Sequence, residues 1–119
     1  MSQTNLIINV RQISPKVSII DIQGDLSASA EPVLTNAYAQ ANAPTTHVIV
    51  INFSKLAYMN SSGIGLLVTL LIRVNRQKQR LFCYGLSEHY RHIFALTRLS
   101  DVIPLYATEQ ETLEAAKAL

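Results

Sequence analysis

The amino-acid sequence predicts an α/β fold: a single domain over residues 1–119, built on a mixed, mostly parallel sheet of about five strands with four helices. Of the 119 residues, 49% are hydrophobic and 15% are charged, which suffices for one apolar core and argues against disorder. Strand-like and helix-like segments alternate along most of the chain, as in parallel sheets with helical crossovers. Residues 46–53 are almost wholly apolar and β-branched, which is typical of a strand buried on both faces.

The N-terminal part is predicted to form two strands and a helix. Strands are expected over residues 6–13 and 17–26, and the short turn between them favours antiparallel pairing. A helix follows, for which Ser27 or Ser29 is the expected N-cap, with an acidic residue and a proline in its first turn. The apolar strand over residues 46–53 comes next.

The C-terminal part continues this alternation. A helix is expected to begin at the serines just after residue 60, followed by a strand that ends at Gly85 and a helix that begins near Ser87. A short strand around Pro104 suits the edge of a sheet. Thr108, with Glu111 three residues later, matches a capping box and is expected to start the last helix.

Composition and charge exclude several classes of function. The formal net charge is +2, too small to indicate nucleic-acid binding, and the one basic cluster, residues 73–80, is interpreted as a solvated helix end. The single cysteine, Cys83, excludes an internal disulfide. The longest apolar run, residues 64–72, is far shorter than the ~20 residues that span a bilayer. With no secretory signal visible, we expect a cytoplasmic protein without membrane or direct nucleic-acid partners.

The stretch LAYMNSSGIGLLVTLL, residues 56–71, is the strongest candidate for a functional site. Asn60, Ser61 and Ser62 are each acceptable N-cap residues, while Gly63 and Gly65 leave the first helical turn slim and its N–H groups unshielded. Such an electropositive helix start suits an anion, and a phosphate carried on a serine would gain ~0.3–1 kcal/mol from the helix dipole. The structural alternative is a helix that Asn60 or a serine caps and that binds nothing.

Catalytic interpretations fit this stretch poorly. A nucleophile elbow requires Gly-x-Ser-x-Gly, but Met59 and Asn60 occupy the positions where the first glycine would stand, and the Gly-Lys-Ser/Thr ending of a phosphate-binding loop is absent. His47, His89 and His92 show no spacing that ties them to the serines, so we expect surface or packing roles for them. We therefore predict no catalytic residue, no metal site and no cofactor.

The helix after the serines is predicted to have two distinct faces, at roughly 100° per residue. The face expected to pack on the sheet contains Ile64, Leu67, Val68, Leu71 and Val74. The opposite face contains Ser62, Leu66, Thr69, Leu70 and Arg73. Two leucines on an outer face predict a docking surface, and the alternative is a helix partly covered by a neighbour. A helical wheel drawn with the same spacing places Ser62 most clearly on the outward side.

Several segments together resemble the STAS domain family, in particular its bacterial anti-sigma factor antagonists. The likeness rests on VSIIDIQGDL with its Gly-acidic-Leu ending, on THVIVINFSKLAYMNSSGIGLLVTLL, and on LFCYGLSEHYRHIFALTRLSDVIPLYATEQETLEAA, in that order. It covers nearly the whole chain. The serine-glycine turn in this context is more specific than the turn alone.

This resemblance implies a regulatory switch and not an enzyme. An unphosphorylated antagonist of the family binds an anti-sigma factor that is also a serine kinase, and this binding frees the sigma factor. The kinase then phosphorylates a serine in the turn, and the complex separates. A serine/threonine phosphatase of the metal-dependent class resets the switch. The family position falls on Ser61, with Ser62 as second choice.

The resemblance and the helix wheel together imply a partner-binding surface around the turn. The expected contact residues are Asn60, Ser61, Ser62, Gly63, Leu66, Leu70, Arg73, Asp25 and Ser27. Two of them depart from the family pattern, because Asn60 and Ser27 stand where an aspartate is often found. Loss of both charges makes the surface less acidic, which eases accommodation of a phosphate and alters what a kinase would recognise.

Two other functions stay open at the level of the sequence. One is a scaffold subunit of a multiprotein stress-signalling assembly, with the same fold and stable self-association. The other is a nucleotide-binding STAS module that uses Asp25, Ser27 and the helix start, since functional groups gather where the strands of such sheets end. An enzyme ranks behind both.

Overall fold

The computed structural model describes residues 5–119 and confirms the predicted class of fold. The strands are β1 (Leu6–Ser14), β2 (Val17–Leu26), β3 (Val48–Met59), β4 (Arg80–Tyr84) and β5 (Leu105–Tyr106). The α-helices are α1 (Glu31–Ala41), α2 (Ser61–Arg76), α3 (Glu88–Leu96) and α4 (Glu109–Lys117). Short 3₁₀ turns at Ala28–Ala30 and Leu99–Asp101 precede α1 and β5.

The strands form one sheet in the order β1-β2-β3-β4-β5. β1 runs antiparallel to β2 and the other neighbours are parallel, as the short first turn and the later helical crossovers predict. The carboxyl ends of β2, β3 and β4 therefore lie at one edge of the sheet, and the chain enters α1, α2 and α3 there. At that edge Leu26, the last residue of β2, pairs with Met59, the last residue of β3.

Helices cover the two faces of the sheet unequally. α1, α2 and α3 pack on one face over strand residues such as Ile20, Ile49 and Ile51, which are fully buried. α4 packs on the other face over a smaller apolar cluster that includes Val50 and Phe82. Because the first residues of β3 lie between both layers, they are apolar on both sides, which accounts for the unbroken apolar run in the sequence.

The entry into α1 differs from the prediction. Neither Ser27 nor Ser29 caps α1, whose N-cap is Ala30 without a side-chain hydrogen bond. The chain instead enters α1 through the 3₁₀ turn, in which the amide of Ala30 donates to the carbonyl oxygen of Ser27 at 2.9 Å. The proline expected in the first turn of α1 is confirmed.

The ends of the later helices agree with the prediction. Ser87 caps α3 and Thr108 caps α4, each accepting a hydrogen bond from the amide three residues later. α2 ends at Arg76, and Arg73 and Arg76 lie in its last turn. The basic cluster is thus a helix end, where cations complement the negative end of the helix dipole.

β3 is longer than the sequence predicts. The prediction ends it at residue 53, whereas the strand runs from Val48 to Met59. β4 pairs only with the first part of β3, from Val48 to Asn52. Residues 53–59 therefore continue alongside β2 beyond the end of β4. The exposed residues Ser54 and Lys55 break the apolar run while the backbone stays extended, so hydrophobicity alone ends the strand too early.

A polar cluster fastens α4 to the sheet. The Arg11 guanidinium contacts Asp21 Oδ2 at 2.6 Å and Glu109 Oε1 at 2.8 Å. The Tyr84 hydroxyl donates to Glu109 Oε1 at 2.8 Å, and the Asn52 side-chain amide donates to Asp21 Oδ1 at 2.7 Å. These five residues, which we call the α4 clamp, join β1, β2, β3 and β4 to the first turn of α4 through charge-assisted hydrogen bonds.

Candidate functional site

Hydrogen bonds fix the turn between β3 and α2. Asn60 has an extended backbone, and its Oδ1 accepts a hydrogen bond from the amide of Gly63 at 2.9 Å, so Asn60 is the N-cap of α2. Its own amide donates to the carbonyl oxygen of Leu26 at 3.3 Å, which ties the turn to β2. Of the three predicted cap candidates, Asn60 is therefore the cap, and Ser61 is the first residue of the helix.

Gly63 permits close contact between α2 and the end of β2. The residue is buried, and a Cβ there would lie 2.2 Å from the carbonyl oxygen of Leu26 and 2.9 Å from the Met59 side chain. The sequence predicts that Gly63 leaves the first helical turn open, whereas the residue is buried against β2, and this burial argues against a direct partner contact there. Its amide is bound to Asn60, and its missing side chain serves packing inside the protein.

Gly65 has the opposite surroundings. It is exposed, and no heavy atom lies within 4 Å of the position that its Cβ would occupy. A glycine inside a helix costs roughly 0.5–1 kcal/mol relative to alanine. No contact within residues 5–119 requires a glycine at this position. What the glycine provides is space on the outer surface of α2.

The buried face of α2 differs from the predicted one. Its buried residues are Gly63, Leu67, Leu70 and Val74. Val68, expected against the sheet, is 37% exposed, whereas Leu70, expected on the outer face, is 3% exposed. The contact of Gly63 with β2 sets the rotation of the helix about its axis. A helical wheel based on hydrophobicity alone does not contain that contact and therefore predicts the wrong rotation.

The exposed side of α2 carries the candidate site. Ser61, Gly65, Val68 and Ile72 lie about one turn apart along it, and we call them the outer α2 face. All four are exposed, including the apolar side chains of Val68 and Ile72. Tyr58, also exposed, stands just before the turn. An exposed apolar stripe that begins at a serine is suited to contact with another protein.

Both candidate serines are exposed, but they point in different directions. At ~100° per residue, Ser61 lies about 150° from the middle of the buried face and Ser62 lies about 110° from it on the other flank. The prediction that Ser62 points most clearly outward is therefore wrong, because it assumed that Val68 faces the sheet. Ser61 lies in line with the apolar residues of the outer α2 face, and Ser62 lies on the flank nearer α1.

Three residues predicted to bind a partner lie along a groove between α1 and α2. The groove is lined by Glu31, Leu34, Thr35, Tyr38, Leu66, Thr69, Leu70 and Arg73. Leu70 is buried there, so its predicted position on the outer face is wrong and the alternative of a covered helix holds for it. Leu66 is half-buried and Arg73 is exposed. At ~1.5 Å per residue, Arg73 lies roughly 18 Å along α2 from Ser61, beyond the reach of a phosphate there.

Asp25 and Ser27 lie at the end of β2, at the same edge of the sheet as the turn. Asp25 pairs with Tyr58 of β3, and its amide donates to the carbonyl oxygen of Asn5 at 2.7 Å. Ser27 is half-buried, and its Oγ lies 3.2 Å from Ser29 Oγ. The fold thus brings both residues to the end of the sheet where the turn lies, but the turn itself donates its hydrogen bond to the carbonyl oxygen of Leu26, which lies between them.

Tyr90 of α3, which sequence reasoning missed, holds the turn from the side opposite β2. The amide of Met59 donates to the Tyr90 hydroxyl oxygen at 2.8 Å, and both residues are buried. The two residues are 31 positions apart, and the segment around Tyr90 shows only an ordinary helical pattern. Finding this contact requires knowing that β3 extends past β4 to meet α3.

Groups that could carry other chemistry are dispersed. His47, His89 and His92 are exposed, and across residues 5–119 no group of three or more His, Cys, Asp or Glu side chains could hold a metal ion. Burial raises the pKa of the Cys83 thiol, which disfavours a reactive thiolate. None of the helices in the described residues combines the length and the hydrophobicity that a membrane span requires.

A sequence model of the STAS domain matches residues 9–112. The chain belongs to the STAS domain family. The match extends from β1 into α4 and includes the whole turn before α2. It confirms the resemblance seen in the serine-glycine turn and in the segments before and after it.

Curated relatives of this STAS domain are similar to it along most of its length. The anti-sigma-B factor antagonist of Staphylococcus epidermidis is 29% identical over 84 residues, which cover 71% of this chain and 78% of the relative. The anti-sigma-B factor antagonist of Listeria monocytogenes is 25% identical over 107 residues, which cover 90% of this chain and 94% of the relative.

Solved structures of the family share the fold. An anti-sigma factor antagonist from Mycobacterium paratuberculosis superposes with a TM-score of 0.82 at 21% identity, covering 98% of this chain and 97% of the other. The Bacillus cell fate determinant SpoIIAA in its phosphorylated form superposes with a TM-score of 0.68 at 21% identity, covering 92% of this chain and 99% of the other. These superpositions confirm the predicted STAS-like fold.

Proposed function

We propose that this STAS domain is a cytoplasmic anti-sigma factor antagonist that binds its partner through the outer α2 face and is released when Ser61 is phosphorylated. One observation carries the proposal. Ser61 presents an exposed hydroxyl at the first residue of α2, in line with the exposed apolar residues Val68 and Ile72. The partner is an anti-sigma factor with serine kinase activity, and a metal-dependent serine/threonine phosphatase reverses the modification.

The names of related proteins support the class of partner and the type of modification. The curated relatives are anti-sigma-B factor antagonists, and the structural neighbour SpoIIAA is described in a phosphorylated form. The physical features of the turn agree with such a modification. An exposed serine at a helix N-terminus is accessible to a kinase, and the positive end of the helix dipole stabilises the phosphate that it receives.

Phosphorylation of Ser61 would oppose binding through charge and hydration. It adds about −1.5 to −2 charges and a strongly hydrated group beside the apolar part of the outer α2 face. A partner that covers this face would have to desolvate the phosphate. A penalty of only ~3 kcal/mol would weaken binding more than a hundredfold.

The fold need not change when Ser61 is modified. The start of α2 is held by the Asn60 cap, by the contact of Gly63 with Leu26, and by the hydrogen bond from Met59 to Tyr90. None of these three contacts uses the Ser61 side chain. The neutral Asn60 caps the helix without placing a carboxylate next to the phosphate, so the cap does not repel the added negative charge.

Phosphorylation followed by peptide mapping tests the proposal directly. The wild-type protein, Ser61→Ala and Ser62→Ala are incubated with the anti-sigma factor kinase and ATP, and the modified residue is located by mass spectrometry. We expect a phosphate on wild type and on Ser62→Ala, and none on Ser61→Ala. A phosphate on Ser62 alone, or on neither serine, would contradict the assignment.

Binding of the anti-sigma factor gives a second, independent test. Ser61→Asp is expected to weaken binding at least about tenfold, with a circular dichroism spectrum and a Tm like those of the wild type, because the side chain is exposed. The matched Ser62→Asp variant adds the same charge on the flank of α2 and is expected to have the smaller effect. Equal affinities of wild type and Ser61→Asp would contradict the proposed docking face.

The same preparation separates the other candidate functions. A stable homo-oligomer seen by light scattering would favour a scaffold subunit. Heat released on titration with a nucleotide, and lost in Ser27→Ala, would favour a nucleotide-binding module. Neither outcome is expected from a switch that works by contact with the outer α2 face.

A further inference from the structure

The last part of β3 lacks a strand on one side. β4 pairs with β3 only from Val48 to Asn52, whereas β2 accompanies β3 to its last residue, Met59. Backbone amides of a strand point alternately to its two sides. The amides of residues 53–59 that point away from β2 therefore need partners other than a strand.

Two successive amides before Ser61 show how this need is met. The amide of Asn60 points to β2 and donates to the carbonyl oxygen of Leu26 at 3.3 Å. The amide of Met59 points the other way and donates to the hydroxyl oxygen of Tyr90 in α3 at 2.8 Å. The Tyr90 hydroxyl thus takes the place of the missing strand at the residue that immediately precedes the cap of α2.

Burial makes this hydrogen bond important for the position of the turn. Met59 is 4% exposed and Tyr90 is 8% exposed, so water has little access to the bond. A buried amide left without an acceptor is unfavourable, and the chain would move to restore one. Because Met59 is two residues from Ser61, such a movement would displace the serine from the line of the outer α2 face.

We infer that Tyr90 is a positioning residue for Ser61: its hydroxyl holds the turn in the conformation that the partner binds and the kinase phosphorylates. The functional part of this inference rests on the proposed function, and the structural part does not. Tyr90 acts through the backbone of Met59 and is not expected to touch the phosphate or the partner. Through Tyr90, α3 therefore helps to position Ser61, although Ser61 belongs to α2.

The test compares two tyrosine-to-phenylalanine variants of the full chain. Tyr90→Phe keeps the ring and removes only the acceptor of the Met59 amide. Tyr84→Phe removes a hydroxyl of another buried tyrosine, which is bonded to Glu109 on the opposite face of the sheet. Any general loss of stability should therefore appear in both variants, and a loss of positioning only in the first.

Hydrogen exchange of the Met59 amide, followed by NMR, tests the structural part without any partner. We expect exchange at least about tenfold faster in Tyr90→Phe than in wild type, and unchanged in Tyr84→Phe. Ser87→Ala, which removes the N-cap of α3 next to Tyr90, should accelerate the same amide to a smaller extent. Unchanged exchange of the Met59 amide in Tyr90→Phe would overturn the inference.

Steady-state phosphorylation of Ser61 by the anti-sigma factor kinase tests the functional part. We expect kcat/KM to fall about tenfold for Tyr90→Phe and to stay at the wild-type value for Tyr84→Phe, with both proteins folded at the assay temperature. Equal kcat/KM values for the two variants would overturn the positioning role. If the wild type itself is not phosphorylated, the proposed function fails, and the exchange of the Met59 amide still decides whether Tyr90 holds the turn.

Discussion

At the scale of single residues, Gly63 and Gly65 illustrate two reasons for a glycine in the same helix. Gly63 has no room for a side chain because the carbonyl oxygen of Leu26 lies where its Cβ would be. Gly65 has open space around it. The first glycine is required by the packing of the protein itself. The second lowers helix stability while keeping the outer α2 face flat beside Ser61.

Alanine substitutions at these glycines should therefore have opposite effects on stability. Gly63→Ala is expected to lower the free energy of unfolding by roughly 1–3 kcal/mol or more, since α2 must move away from β2. Gly65→Ala should raise it by about 0.5–1 kcal/mol through helix propensity. Urea denaturation measures both changes.

The same two variants separate stability from partner binding. If the partner approaches the outer α2 face closely, Gly65→Ala should weaken its binding even though the protein becomes more stable. Binding of the anti-sigma factor to Gly65→Ala with wild-type affinity would show that the partner leaves this position uncovered.

At the scale of secondary structure elements, the α4 clamp shows how a short helix is held on a sheet. Burial opposes ionisation of Asp21, but hydrogen bonds from Arg11 and Asn52 outweigh it and lower the pKa of this carboxyl below its usual value. Hydrogen bonds from Arg11 and Tyr84 likewise lower the pKa of Glu109. Burial, with the hydrogen bond to Glu109, raises the pKa of Tyr84 to about 12, so its hydroxyl stays protonated as a donor.

Arg11→Met should destabilise the protein in a pH-dependent way. Because the folded-state pKa values of Asp21 and Glu109 are lowered, their contribution is complete above the unfolded value of about 4 and is lost as pH falls through the folded values. We expect a loss of about 1 kcal/mol at pH 7, since Arg11 and Glu109 are each partly exposed. The difference between wild type and variant should shrink below about pH 4 in urea denaturation series.

A matched arginine provides the control for this prediction. Arg98 also forms an ion pair, with Asp101 at 2.9 Å, but its side chain is 84% exposed. Arg98→Met should therefore change stability little at any pH. A pH-independent loss in Arg11→Met would show that packing of its methylene groups, rather than its charge, is what stabilises α4.

At the scale of the whole molecule, the sheet separates a large apolar layer from a small one. The side covered by α1, α2 and α3 contains most of the buried residues, including Phe53 and Phe94, whose rings meet edge to face. The side covered by α4 contains a smaller cluster around Val50 and Phe82. The proposed switch lies on the large layer and the α4 clamp on the small one, so the two are separated by the sheet.

This division predicts unequal local stability. Native-state hydrogen exchange should show lower opening free energies for the amides of α4 than for those of the central strand β3, because fewer apolar contacts hold α4. Arg11→Met should lower protection in α4 further and leave α2 nearly unchanged. Equal protection throughout the chain would mean that the domain opens only as one unit.

Much of this architecture follows from patterns within single segments. The alternation of strands and helices, the antiparallel first strand, the buried strand β3 and the caps Ser87 and Thr108 all depend on local spacing, and all were predictable from the sequence. The position of Ser61 at the start of a helix depended on the same kind of local signal.

The rest depends on contacts between segments that are distant in sequence. The rotation of α2 is set by Gly63 against Leu26, which reverses the expected exposure of Val68 and Leu70. The length of β3 depends on pairing with β2, and the role of Tyr90 depends on that length. Periodicity within α2 contains no information about any of these contacts.

The anchoring of the first turn of α2 has a consequence for how long a signal lasts. A conformational switch relaxes by itself once its cause is gone. A phosphate ester on Ser61 would not reverse by itself in this way. Uncatalysed hydrolysis of phosphate monoesters is among the slowest reactions known. The lifetime of the phosphorylated state would therefore be set by the enzyme that removes the phosphate. The fixed turn around Ser61 would not influence that lifetime.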